Sequence, residues 1–237
     1  MAHSYKTLSL NQRETGYRYN RDSFALADFF RPAGAGALLD MGAGVGVVSI
    51  LIGIENPRIK ITALEINPEL ARLAEENARN NGLENYHVVT GDMMESPKLF
   101  SKGTFDAVVS NPPYRRKGSG RLNPDPAKAA ARHEIMMTLD GLVKSASHVL
   151  KEGGALWITM IHERRDEYCA ILARHGFGET RVRDVKSFTG SPPILFLSEA
   201  RLGHKGNAEE QSALVLKKGD GADSDEFNRI IARYVSR

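Results

Sequence analysis

The stretch Leu38-Leu39-Asp40-Met41-Gly42-Ala43-Gly44-Val45-Gly46 restricts the fold more than any other part of the chain. A short apolar run ends on an acid, three alternating glycines follow, and a helix-period segment begins at once. Glycines at such a strand-to-helix turn let the backbone approach a ligand where a Cβ would clash. The spacing is G-x-G-x-G after an acid, not the G-x-G-x-x-G that suits a dinucleotide. A pyrophosphate favours helix N–H groups with no carboxylate beside them. Asp40 therefore argues against a pyrophosphate and for a ligand carrying an ammonium and a sulfonium.

The same alternation continues along the chain. Apolar runs at 37–40, 60–65, 86–90, 105–110 and 155–161 read as strands, with further strands at 182–188, 194–200 and 213–216. Helical segments are expected at 47–55, from Pro68 to the Asn81-Gly82 stop, and at 134–150, 163–175 and 225–235. Asn67-Pro68-Glu69 supplies an N-cap, a proline at the first helical position and an acid in the first turn. Strands alternating with helices indicate an α/β protein with a mainly parallel sheet. Segments 112–127 and 202–211, rich in Gly, Pro, Asn and basic residues, read as long loops.

Composition excludes several classes. At 237 residues and 41% hydrophobic, the chain suits one globular domain and is neither collagen-like nor disordered. No apolar run approaches the ~20 residues of a membrane span, and the first residues do not read as a secretory signal. The single cysteine, Cys169, forms no internal disulfide, and no cysteine cluster is present for zinc. A cytoplasmic protein with no metal and no membrane partner is expected. The formal charge of +3 permits an anionic partner without requiring one.

Two more acids fall at strand ends. Glu65 closes the second strand, where a carboxylate accepts ribose hydroxyls. Asp92, after the third, is placed to accept from an adenine amino group, with the N–H of Met93 beside it for a ring nitrogen. Each acid alone can simply cap a turn. Together they mark the carboxyl edge, where open α/β sheets bind ligands.

With D-x-G-x-G-x-G, Glu65 and Asp92, the chain resembles the class I S-adenosylmethionine-dependent methyltransferases from Asp40 to about Ile161. The resemblance implies a Rossmann-like, mostly parallel seven-stranded sheet with helices on both faces and an antiparallel last strand. It also implies S-adenosyl-L-methionine as cofactor. The methionine part would lie at Asp40, Gly42, Gly44 and Gly46, the ribose at Glu65 beside Ile66, and the adenine at Asp92 and Met93.

Ser110-Asn111-Pro112-Pro113-Tyr114 closes the fourth strand. Two prolines remove two donors and stiffen the turn. The Asn111 side-chain oxygen and the Pro112 carbonyl can then both accept from one planar NH₂, and Tyr114 offers a face for a base, worth about 1–3 kcal/mol. Methyl transfer from a sulfonium needs orientation and an acceptor for developing positive charge more than a general base. Asn111, Pro112 and Tyr114 are the expected catalytic residues, with Asn111 also beside the cofactor. In the family N-P-P-Y marks N-methylation of adenine N6, of guanine N2 in ribosomal RNA, or of a glutamine side chain.

The region 17–27, with Arg132-His133-Glu134, Ser191-Pro192-Pro193 and Gly203-His204-Lys205-Gly206, resembles the bacterial methyltransferases of adenine N6 beside the anticodon of a valine tRNA. This favours tRNA as substrate. The alternatives are guanine-N2 or protein-glutamine methylation, or a non-enzymatic RNA module that binds the cofactor. One domain over 1–237 is expected, with 1–36 covering the cofactor and 37–237 as core. Arg115, Arg116, Lys117 and Arg121 are candidate phosphate contacts, with Arg13, Arg18 and Arg21 on the same rim and Lys205 in the second loop. Cys169 and Trp157 are expected in the core, and Arg229 and Arg233 on a solvated helix face.

Overall fold

A computed structural model describes residues 8–11, 21–32, 34, 36–112 and 139–235. Helix α1 (Arg21–Phe29) comes first and buries seven of its nine residues. Strand β1 (Ala37–Met41) leads through the glycine turn into α2 (Val47–Glu55). Strand β2 (Lys60–Glu65) leads into α3 (Pro68–Asn80), whose N-cap Asn67 accepts from the N–H groups of Glu69 and Leu70. Strand β3 (Tyr86–Thr90) is followed by a 3-10 turn (Met93–Glu95) and the single turn α4 (Ser96–Leu99). Then come β4 (Phe105–Ser110), α5 (Leu139–Val149), β5 (Leu150–Ile161) and α6 (Arg165–Arg174). The chain ends with β6 (Phe177–Phe188), β7 (Pro193–Leu202), β8 (Glu209–Lys217) and α7 (Asp225–Ala232).

The strands form one sheet in the order β3-β2-β1-β4-β5-β7-β6-β8. All run parallel except β7, which is antiparallel to both β5 and β6. Among the described residues all eight strands read from the apolar runs are present. The seven-stranded sheet with an antiparallel last strand that the resemblance implied is corrected in two respects: there are eight, and the last, β8, lies parallel to β6 at the edge. The segment read as a loop over 202–211 shrinks accordingly to 203–208. Its polar residues sit on an edge strand with one pairing partner, where the apolar alternation that marks a buried strand is weak. The Gly203-His204-Lys205-Gly206 stretch makes the β7–β8 connection, with Gly203 at φ +83°.

Apolar side chains cover both faces. Phe24, Ile50, Trp157, Leu214 and Phe227 belong to the core on the α1, α2 and α7 face. Leu39, Val108, Leu142, Tyr168 and Phe196 belong to the core on the α5 and α6 face. Trp157 is 1% exposed, as its strand position predicted. Cys169 is exposed instead, because it lies on the outer side of α6. Arg233 is not merely solvated: it donates to Asp28 at 2.6 Å and so ties the C-terminal segment to α1. No described helix is long and apolar enough to cross a membrane.

Candidate active site

The carboxyl ends of β1, β2, β3 and β4 lie side by side, because Met41 is in register with Leu64 and Glu65 with Thr90. This alignment brings Gly42, Glu65, Asp92 and Asn111 to one edge of the sheet. The glycine turn is fixed from below, as Leu64 O accepts from the N–H groups of Gly42 and Ala43 at 2.9 and 3.1 Å. Gly42, Gly44 and Gly46 have φ of +73°, +57° and +84°, the left-handed region that favours glycine. A Cβ on Gly42 would come within 2.7 Å of Met93 Cε, so the turns after β1 and β3 meet there.

Glu65 is 5% exposed and binds the glycine turn to the α3 N-terminus. Its Oε2 accepts from Gly44 N–H at 2.8 Å and its Oε1 from Asn67 N–H at 2.9 Å. Each oxygen carries two lone pairs, so a carboxylate fixed in this way still has acceptor capacity. Next to it Ile66 is 44% exposed, a large apolar side chain beside a polar edge. Asp92 Oδ1 caps the 3-10 turn by accepting from Met94 N–H at 2.8 Å. The turn-capping reading of this acid is therefore the one its hydrogen bond shows.

Asp40 is placed differently from the expectation of a carboxylate facing the ligand. It is 2% exposed, and its Oδ2 accepts from Ser49 Oγ at 2.5 Å behind the turn. The Ser49 and Tyr86 hydroxyls lie 2.9 Å apart, completing a buried chain of three. Burial pushes the Asp40 carboxyl up to about 7; the Ser49 hydrogen bonds oppose this and the Glu65 charge adds to it. Burial likewise pushes the Tyr86 phenol up. Gly46 is required beside this network, since a Cβ there would stand 2.6 Å from Tyr86 Oη.

Asn111, half-buried, follows β4, and Pro112 behind it is buried. Ser110 Oγ donates to Met41 O at 2.7 Å, locking the end of β4 to the end of β1. Asn111 Nδ2 donates to Ser23 Oγ on α1 at 3.2 Å, which sets the amide plane. Sequence reasoning missed Ser23, Ser49, Tyr86 and Ser110. None falls in the glycine or N-P-P-Y motif, and only their through-space partners reveal them.

Several expected residues lie outside the described ones: Pro113, Tyr114, Arg115, Arg116, Lys117, Arg121, Arg13, Arg18, His133 and the rest of loop 113–127. Arg21 begins α1 and is engaged by Asp223 at 2.5 Å. Lys205 is not on the rim. Its connection joins the end of antiparallel β7 to the start of β8, which puts it on the amino edge of the sheet, opposite Asn111. Among the described residues no group of three His, Cys, Asp or Glu is arranged to hold a metal.

A largely parallel sheet gathers a glycine turn, two acids and an Asn-Pro corner at one edge, and the family match makes the class that of the methyltransferases. The methyltransferase small domain family matches residues 19–188, and this chain belongs to it. S-adenosylmethionine is its methyl donor. The residues fit that group: a Cβ at Gly44 would meet nothing within 4 Å, while buried Glu65 and exposed Ile66 stand beside it. The tRNA1(Val) (adenine(37)-N6)-methyltransferase of Porphyromonas gingivalis is 27% identical over 98% of this chain and 94% of its own length. The protein of the same name from Tolumonas auensis is 26% identical over 99% of this chain and 96% of its own. Among solved structures, a predicted O-methyltransferase from Agrobacterium tumefaciens has a TM-score of 0.71 at 16% identity, covering 91% of this chain and 97% of its own.

Proposed function

We propose that this methyltransferase acts on adenine N6 in tRNA, at position 37 of a valine tRNA. The observation that carries the reading is the corner at Asn111-Pro112, set by Ser23 and Ser110 beside the cofactor edge. Two relatives of matching length bear that activity in their names. When bound, S-adenosylmethionine supplies an electrophilic methyl group on a sulfonium. Glu65 accepts from the ribose hydroxyls, Asp92 from the adenine amino group, and Ile66 covers the adenine face. Residues 37–237 form the catalytic core, and the segment before them covers the cofactor.

The substrate amine is conjugated with its ring and is a poor nucleophile. Asn111 Oδ1 and Pro112 O, both acceptors, draw its hydrogens out of the ring plane and stabilise the positive charge that develops on nitrogen. No general base is needed in that step, because the nitrogen sheds its proton to water after transfer. Tyr114 stacks on the base, and Arg115, Arg116, Lys117 and Arg121 contact the phosphates around it. Residues 8–11 support the covering role of the N-terminal segment. Asn77 on α3 and Asn81, which caps its C-terminus, hold its backbone at Asn11 and Ser9, and Asn77 also donates to Val45 O in the glycine turn.

The test is label transfer from S-adenosylmethionine to an unmodified tRNA1(Val) transcript, read by nucleoside analysis. N6-methyladenosine is expected, and it disappears when adenine 37 is replaced by guanine. Label in ribosomal RNA or a release factor, with none in tRNA, would contradict the assignment.

A further inference from the structure

The Ser191-Pro192-Pro193 stretch has no part in the site described so far. It builds the tight turn between β6 and β7. Phe188 O accepts from Ser191 N–H at 3.1 Å, and Ser191 Oγ accepts from Phe188 N–H at 3.2 Å. Gly190 takes φ +81° at the third position of the turn, and Pro193 opens β7. A rigid turn thus presents Phe188, which is 40% exposed, and Ile194, on the other side of the turn, is 43% exposed. Holding an aromatic ring in water on a fixed backbone removes most of the ordering cost of a later contact.

Cations stand next to that ring. Phe188 is in register with Lys217 of β8, and Lys186 with Val215, so each pair shares a face of the sheet. Among the described residues neither lysine has an ion-pair partner, whereas Lys218 pairs with Asp225 and Arg21 with Asp223. Lys217, at the end of this patch, also borders α1. Arg21, Asp22, Ser187, Ile194, Leu216 and Lys217 line a cleft of about 290 Å³. Asp22 in its wall is followed along α1 by buried Ser23, which accepts from Asn111. Asp22 places a carboxylate in that wall, so a phosphate is favoured at the lysine end.

We propose that the β6–β7 turn and the adjoining end of β8 form a landing for the RNA strand that flanks the target adenine. Phe188 stacks a flanking base, and Lys186 and Lys217 meet phosphates. An aromatic face beside unpaired cations is the chemistry of a single-stranded nucleic-acid site. The spacing suits it: β6 lies three strand spacings from β4, about 14 Å, and β8 four, about 19 Å. A base at Asn111 therefore has its neighbouring nucleotides in reach of the landing. The proposal rests on the tRNA reading above.

The experiment uses the full chain and an unmodified tRNA1(Val) transcript. It measures the tRNA Kd at several salt concentrations, the tRNA KM, the S-adenosylmethionine Kd and the Tm. Phe188→Ala is expected to raise the tRNA Kd and KM about tenfold, and Phe188→Trp to restore them. Lys186→Glu with Lys217→Glu should weaken tRNA binding at low salt and flatten the salt slope by about 1.5. The cofactor Kd stays unchanged throughout. Should the double variant unfold, Lys217→Glu alone carries the test, with about half that change in slope. Variants that keep the parent KM and salt slope, in a protein that does methylate tRNA, overturn the landing alone. A parent protein that binds cofactor but neither binds nor methylates tRNA overturns both the landing and the tRNA reading.

Discussion

At Asp40 the chain places an ionisable group where water cannot reach it, and the consequence is a definite pH dependence. Unfolded, this carboxyl loses its proton near 3.8; folded, it keeps it to about 7. The folded state therefore binds one more proton between those values. The stability contributed by this group is greatest below pH 4, declines as pH rises to 7 and is level above it. Asp40→Asn cannot titrate, so the Tm of the variant relative to the parent should rise between pH 5 and pH 8 when measured without cofactor. A Tm difference that is flat with pH would contradict the burial account. Gly46 tests the same network from the other side. Gly46→Ala combines a φ of +84° with a Cβ 2.6 Å from Tyr86 Oη, so about 1–3 kcal/mol of stability should be lost in chemical denaturation.

Among the elements, those around the cofactor edge were legible because their signals are local. The Asn67-Pro68 helix start, the glycine turn and strands 60–65, 86–90 and 105–110 were each written within a few adjacent residues, and the structure has those bounds. Asn67→Ala should cost about 1 kcal/mol in the same assay, the usual value of an N-cap. Helix α1 and the first half of strand β8, residues 209–212, were less legible, since both are stabilised by distant partners. The carbonyl of Phe29 in α1 accepts from Arg181 of β6 at 2.7 Å, and the Arg181 guanidinium stacks over the Phe29 ring. The first four residues of β8, 209–212, are polar, and Leu214 and Leu216 join the same core as Phe227 of α7. Leu214→Ala should then lose about 2–4 kcal/mol, as burial in a packed core requires. A loss below 0.5 kcal/mol would mean that β8 is not part of the folded unit.

At the scale of the molecule the carboxyl edge of the sheet divides in two. Strands β3, β2, β1 and β4 carry the residues proposed to hold the cofactor, and β5, β7, β6 and β8 extend the same edge away from them. The first half follows chain order closely enough to be inferred from motifs. The second does not, because antiparallel β7 lies between β5 and β6 and thereby sends Lys205 to the opposite edge while bringing Phe188 and Lys217 to the near one. The candidate site was legible as residue types at strand ends, but the hydrogen bonds that orient it, from Ser23 and Ser110, were not. The central claim is that Asn111 orients an amine at a cofactor site built mainly by other residues. The most direct measurement compares methyl transfer and S-adenosylmethionine affinity in the parent and in Asn111→Ala. The account predicts that transfer falls at least about a hundredfold, with the cofactor Kd within about threefold of the parent, under 1 kcal/mol. Transfer near the parent rate would contradict it, as would a loss of cofactor binding that alone accounts for the lost activity.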